Sequence, residues 1–361
     1  MTRFYIHIPF CRQKCTYCKF ALTPVFNSFK KNKYLKFLSR EIEQYFIENP
    51  WIWVSTIYFW WWTPSVLSLS EIQELLSLFP YTWPREVSFE CNPEDVTKEY
   101  ILWILDLGVN RISLGIQSLN RKALEKIGRY SEDAIFWALH SLGQIGTSSK
   151  ANFSLSVDFI LWLPYVSPWE ILRNIKEIHK KFPWITHTSV YMLEKWIYPK
   201  DWKNLCIDEV TIENEYIDIC RYFKEIWWKH YEISNWSKPW YECSHNLWYW
   251  NHETYRWFWL SATSYSSLKR WQNSSGFLWY YNGEVDYEEY LNEKELFLEK
   301  VIYGIRTFSL KSKYFDIRIL RDLEQEGYIS VKNGNIVLTP TWIFRENSII
   351  SSLLDATVAQ W

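Results

Sequence analysis

Along the first two hundred residues the apolar positions switch repeatedly between a period of two and a period near 3.6. FYIHI at 4–8 alternates and is rich in aromatic and β-branched residues, which predicts a strand. From Lys30 to Glu48 the apolar groups recur at helical spacing, with Tyr34, Leu35, Leu38, Ile42, Tyr45 and Phe46 on one face. STIYF at 55–59 and VSFE at 87–90 read as strands. Between them Ser70, with Gln73 three positions on, predicts the cap of a helix running to Phe79. CNPEDVT leads into a helix closed by Gly108. RISLGIQS at 111–118 is a strand, a helix lies around 131–142, NFSLSVDFI is a strand, Pro168 opens a helix, and HTSVYML at 187–193 is a strand again.

At least five strand and helix alternations imply parallel strands covered by helices. The expected fold is α/β, a closed or partial (β/α) barrel of TIM-like kind, rather than a sandwich. After about residue 230 the rhythm breaks into an aromatic, polar, turn-rich stretch, YEISNWSKPWYECSHNLWYWNHETY. Toward the end VKNGNIVLTP predicts a hairpin turning at Asn333 and Gly334, followed by a helix. The domains expected are a core over 1–235, a linker and motif region over 236–290, and a small α+β accessory domain resembling a winged helix over 291–361.

Charge changes this picture little. The formal net charge is -1, which gives no global preference for nucleic acid or an anionic membrane. No apolar run reaches membrane-spanning length, so the chain reads as soluble and cytoplasmic, with transient membrane association left open. Composition matters more. Tryptophan occurs 25 times and glycine only 10, although glycine is ordinarily roughly 7% of a chain. Several tryptophans stand where a chain turns, most plainly Trp60, Trp61 and Trp62 beside Thr63 and Pro64.

Three of the seven cysteines, Cys11, Cys15 and Cys18, fall within eight positions as C-x3-C-x2-C directly after the first strand. Three thiolates brought together by a loop can hold an iron–sulfur cluster with one open iron, or zinc with His7 or a distant residue completing the set; three unremarkable thiols are the remaining reading.

YIHIPFCRQKCTYC resembles the N-terminal motif of radical S-adenosylmethionine proteins, in the branch that contains oxygen-independent coproporphyrinogen III oxidases and their heme-chaperone relatives. WWTPS at 61–65 resembles the family's glycine-rich segment, ECNP at 90–93 its E-x-N-P segment, and NRISLGIQS at 110–118 its strand pattern; SVDFILWLP carries Asp158 before a G-L-P-like turn. The resemblance implies Cys11, Cys15 and Cys18 as ligands of a [4Fe–4S] cluster. It implies Tyr5, Tyr17, Trp62, Thr63, Glu90, Gln117, Arg129 and Asp158 around the cluster and S-adenosylmethionine. Read without it, Glu90 suits a solvated charge, Gln117 a turn amide, Asp158 a helix cap, and the tyrosines ordinary core positions.

Two features separate members of the branch. The oxidases continue the cysteine motif with another cysteine two positions on, where this chain has Phe20. HNLWYW at 245–250 resembles the H-N-x-x-Y-W motif of the heme chaperones. The implied function is a heme chaperone in which His245, Tyr249 and Trp250 hold heme. Its partners would be a reductant for the cluster and heme-accepting proteins, such as membrane-associated respiratory enzymes, with no nucleic acid. Cys243 and His252 are competing iron ligands, and His245 alone also suits a hydrogen-bonded structural histidine. The alternatives are a coproporphyrinogen III oxidase, another radical enzyme, or a zinc-binding structural protein. Tryptophan at 60–62 and 162, where the resemblance implies glycine, predicts weakened cofactor binding or impaired folding.

Overall fold

The computed structural model describes residues 1–358 except 12–13, 19–22, 25–27, 61–63, 81–83, 130–131, 149–152, 194–201 and 203. Strand β1 (Thr2–His7) is followed by two short paired strands, β2 (Phe10–Cys11) and β3 (Thr23–Pro24). Then helices and strands alternate: α1 (Ser28–Glu48), β4 (Val54–Trp60), α2 (Leu69–Ser77), β5 (Glu86–Cys91), α3 (Lys98–Asp106), β6 (Arg111–Gln117), α4 (Arg121–Ile127), α5 (Glu132–Ser148), β7 (Ser154–Leu161), α6 (Glu170–Lys181) and β8 (His187–Met192). Next come α7 (Glu209–Glu225), β9 (Lys229–Glu232), β10 (Asn235–Ser237), α8 (Ser244–Trp250), β11 (Tyr255–Phe258), β12 (Thr263–Ser266), β13 (Lys269–Asn273), α9 (Phe277–Tyr281) and β14 (Val285–Tyr290).

Strands β1, β4, β5, β6, β7 and β8 are parallel neighbours, and β11 joins β1 in parallel on the other side. Antiparallel strands extend both flanks, giving the order β14-β13-β12-β11-β1-β4-β5-β6-β7-β8-β10-β9, which does not close on itself. The alternation predicts a barrel and leaves its closure open; the strand order makes it a partial one. All six residues of β1 are buried, because one face lines the barrel interior while the other lies under helices. Helix α1 buries Tyr34, Leu38 and Ile42, and the two aliphatic chains each contribute about 1.5–3 kcal/mol when fully covered. The Tyr34 hydroxyl also donates to the His7 carbonyl at 2.8 Å, tying α1 to the end of β1.

Strands β11 to β14, from the stretch read as a linker, are continuous with the main sheet. The C-terminal region holds α10 (Glu293–Arg306), α11 (Ile317–Gln325), β15 (Ile329–Lys332), β16 (Asn335–Leu338) and α12 (Glu346–Val358) around an apolar cluster of its own. Asn333 and Gly334 both have positive φ, 50° and 73°, as a two-residue hairpin of this handedness needs.

One expected cap is corrected. Helix α2 is capped by Ser68, not Ser70: the Ser68 hydroxyl accepts the Glu71 amide at 3.3 Å, and the Glu71 carboxylate accepts the Ser68 amide at 2.8 Å. Glu71 brings a negative charge to the positive end of the helix and pairs with Lys31, which Gln73 cannot do.

Candidate functional site

The thiol loop leaves the carboxyl end of β1. Cys11, Cys15 and Cys18 are each 5–7% exposed and unbridged, and a Cys18 amide to Cys15 carbonyl bond of 3.1 Å tightens the turn between the last two. The Thr16 amide and hydroxyl both bond to the end of α4, through the carbonyls of Ile127 and Lys126. Among the described residues no group of three His, Cys, Asp or Glu side chains is arranged as a ready metal cage. The donor set nonetheless suits a soft metal, with three buried thiols beside a cation.

That cation is Arg129. Burial pushes the Cys15 thiol up, and the Arg129 guanidinium opposes the shift. Burial also raises the Tyr17 phenol, again against Arg129. Arg129 donates to the Asn92 carboxamide, and the neighbouring Tyr17, Cys15, Glu94 and Cys11 hold its charge in place against burial. Gly115 in β6 makes room for it: a methyl group there would lie 2.8 Å from both the Arg129 Nη2 and the Gln117 Nε2. Gln117 ends β6 at φ 68°, just past a register shift, and is buried.

Alternation along the parallel strands turns further polar groups into the barrel. Tyr58 donates to Glu90 at 3.3 Å. Asp158 accepts from Ser113 at 2.8 Å and from Ser156 at 3.2 Å, and burial raises its carboxyl. Burial pushes up the phenols of Tyr5, Tyr58 and Tyr191, and the charge of Glu90 adds to it in each case. Tyr5 shares a 3.1 Å hydrogen bond with His7 Nδ1, and desolvation keeps that imidazole neutral. Tyr5, Tyr17, Glu90, Gln117, Arg129 and Asp158 therefore belong to one polar barrel interior, with the thiols at its carboxyl end. Trp62 and Thr63 lie outside the described residues. Trp162 has φ 73° and its indole donates to the Ile207 carbonyl at 2.7 Å.

His245, Tyr249 and Trp250 are elsewhere. Helix α8 sits against the amino ends of the strands, with the side chain of Glu86, the first residue of β5, accepting the amides of Ser244 and His245 and the Cys243 thiol. His245 is 5% exposed, its Nδ1 is 2.8 Å from Thr56 Oγ1, and burial lowers its pKa to about 4. Arg3 stacks on Trp248 at 4.2 Å. Tyr249 and Trp250 lie against Tyr303 of α10, and Arg306 stacks on Trp250. Helix α8 also reaches the barrel interior: the His245 ring lies 5.2 Å from that of Tyr58, whose hydroxyl donates to Glu90, and Cys243 and Leu247 pack with Tyr5 and Tyr58. A cavity of about 370 Å³ opens beside α8, lined among others by Arg85, Glu86, Arg111, Ser244 and Trp248; His245, Tyr249 and Trp250 do not line it.

Sequence reading missed Glu86, Asn92, Arg111 and Gly115. A charge at the first position of β5 and β6 and a glycine inside β6 were the available signals. It also missed the buried chain Ser156–His187–Tyr231, bonded at 2.8 and 2.7 Å.

The family model described as the radical SAM superfamily matches residues 5–178. The heme chaperone HemW of Lactococcus lactis is 30% identical over 320 residues, which cover 84% of this chain and 80% of that protein. Heme chaperone HemW of Bacillus subtilis is 28% identical over 390 residues, covering 97% and 98%. Among solved structures, the coproporphyrinogen III oxidase HemN of Escherichia coli has a TM-score of 0.80 at 19% identity, over 98% of this chain and 90% of that one, a likeness of fold.

Proposed function

From the premise that this chain belongs to the radical SAM superfamily, related to the HemW- and HemN-type proteins, we propose that it is a heme chaperone. In this reading Cys11, Cys15 and Cys18 hold a [4Fe–4S] cluster, and Glu90, Gln117, Arg129 and Asp158 orient S-adenosylmethionine. Bound there, the reduced cluster would supply the electron that cleaves the cofactor to methionine and a deoxyadenosyl radical. Arg129 would keep positive charge beside the thiolates and the cofactor carboxylate. Heme would sit by α8, with Arg85 and the indole of Trp248 beside it in the cavity, and its ligation by His245 would require that buried ring to be released from Thr56.

The observation that carries this reading is the HNLWYW helix itself, anchored through Glu86 and Thr56 on the amino ends of the strands with a cavity beside it. The names of the similar HemW proteins support it further. The polar barrel interior favours a second reading, a radical enzyme acting on a porphyrinogen or another substrate beside Glu90 and Asp158. The test is anaerobic reconstitution with iron and sulfide, followed by paramagnetic resonance with and without S-adenosylmethionine, heme titration, and incubation with coproporphyrinogen III. A four-iron signal that changes with the cofactor, together with saturable, transferable heme, supports the chaperone. Substrate consumption matched by methionine and 5′-deoxyadenosine, with no saturable heme, establishes the enzyme instead.

A further inference from the structure

Tryptophan in this chain occupies backbone positions built for glycine. Helices α3, α4 and α11 close in one way: a residue at the cap or just past it is in the left-handed region, its amide bonds three residues back, and the next amide bonds five residues back. That residue is Gly108 at φ 95°, Gly128 at 73° and Gly327 at 76°. Helix α7 closes with the same two bonds, Trp227 to Lys224 at 3.2 Å and Trp228 to Phe223 at 2.9 Å, and the left-handed residue is Trp227 at φ 61°. Its side chain packs against little, being 87% exposed.

A second geometry repeats the exchange. Ser167-Pro168-Trp169-Glu170 and Lys238-Pro239-Trp240-Tyr241 each close with a bond from the fourth amide to the first carbonyl, at 3.0 and 3.1 Å. Proline stands second and tryptophan third, at φ 57° and 75°. With proline second, a positive φ at the third position of such a turn calls for glycine. Trp240 is 93% exposed, so contacts of its ring do not select it. Trp162 adds a fourth case at φ 73°, and tryptophan supplies four of the twelve non-glycine residues with positive φ among the described residues. Its share of the whole chain, 25 of 361 residues, would supply fewer than one.

Other tryptophans are sites of a different kind. Trp250 is helical, so its backbone asks for no glycine; ring partners do not make the distinction, because the indoles of Trp162 and Trp169 also donate, to the Ile207 carbonyl at 2.7 Å and to Asp218 at 2.8 Å. We propose that residues 162, 169, 227 and 240 are glycine in the protein as its own cell makes it. The exchange arises from one codon read as tryptophan in this sequence and as glycine in that cell, whereas Trp250 is a true tryptophan. The shortage of glycine and the excess of tryptophan then have a single cause.

Peptide mass spectrometry of the protein purified from its own cell tests this directly. Glycine at 162, 169, 227 and 240 with tryptophan at 250 is the expected result; tryptophan at all four positions, or glycine at 250 as well, overturns it. A second measurement uses the chain as written. Trp227→Gly and Trp240→Gly, made singly, are each expected to raise the thermal midpoint by a few degrees, since both relieve left-handed strain at an exposed ring. An unchanged or lower midpoint in both would show that the backbone is not built for glycine there.

Discussion

His245 and Thr56 are bound to each other at the amino end of the barrel, with Nδ1 and Oγ1 2.8 Å apart and both side chains buried. The imidazole is neutral at physiological pH, the form that ligates iron, but its Nδ1 is already engaged. If His245 holds heme iron, His245→Ala should weaken heme binding at least about tenfold while leaving the four-iron signal intact. Thr56→Val, which only releases the ring, should leave heme affinity within a few-fold of the parent. Heme titration followed by absorbance checks both, and unchanged affinity in His245→Ala would remove this residue from the heme site.

Gly115 is where the cofactor shell is most sensitive to one carbon. Gly115→Ala places a methyl group against Arg129 and Gln117 at once, so S-adenosylmethionine affinity should fall about tenfold or more with the fold retained. Calorimetric titration of the reconstituted protein, with circular dichroism as the folding control, decides it.

Arg129 should set the pH at which the thiol loop takes up metal. Thiolate, not thiol, binds, and this guanidinium is the cation that opposes the upward shift of Cys15. Arg129→Met should therefore move the midpoint of iron and sulfide incorporation upward by about one pH unit. A midpoint that stays in place would show that Arg129 does not govern the thiols.

Glu232 gives the fold a specific pH dependence. Burial raises its carboxyl from 4.5 to about 7, so between those values the folded chain keeps a proton that the unfolded chain has released. Stability associated with this group is full below about 4.5 and declines as pH rises to 7, by on the order of 3 kcal/mol in total. Glu232→Gln should remove that decline, and urea titrations at pH 5 and pH 8 would measure it.

The corrected cap offers the simplest check on the fold. Ser68→Ala should cost about 1 kcal/mol, and Ser70→Ala a few tenths at most. Equal losses in urea denaturation would contradict the capping box.

Local pattern by itself determined the alternation of strands and helices, the Asn333–Gly334 hairpin and the clustering of Cys11, Cys15 and Cys18, because each depends on residues close together in the chain. Tyr5, Glu90 and Asp158 were linked in the sequence only by the family resemblance, and the structure is what turns them into one interior, since every second side chain of a strand shares a face. The choice of Ser68 over Ser70 was less legible, as both serines precede the same apolar run and only a partner three residues on, Glu71 with Lys31 behind it, separates them. Tertiary structure alone decided that Gly115 serves Arg129, which comes from another element, and that β11 extends the sheet beside β1. It also decided that the HNLWYW helix lies at the opposite end of the strands from the thiols. Nothing local records which end of a barrel a late helix returns to, because that depends on long-range packing of α8 on Thr56 and Glu86.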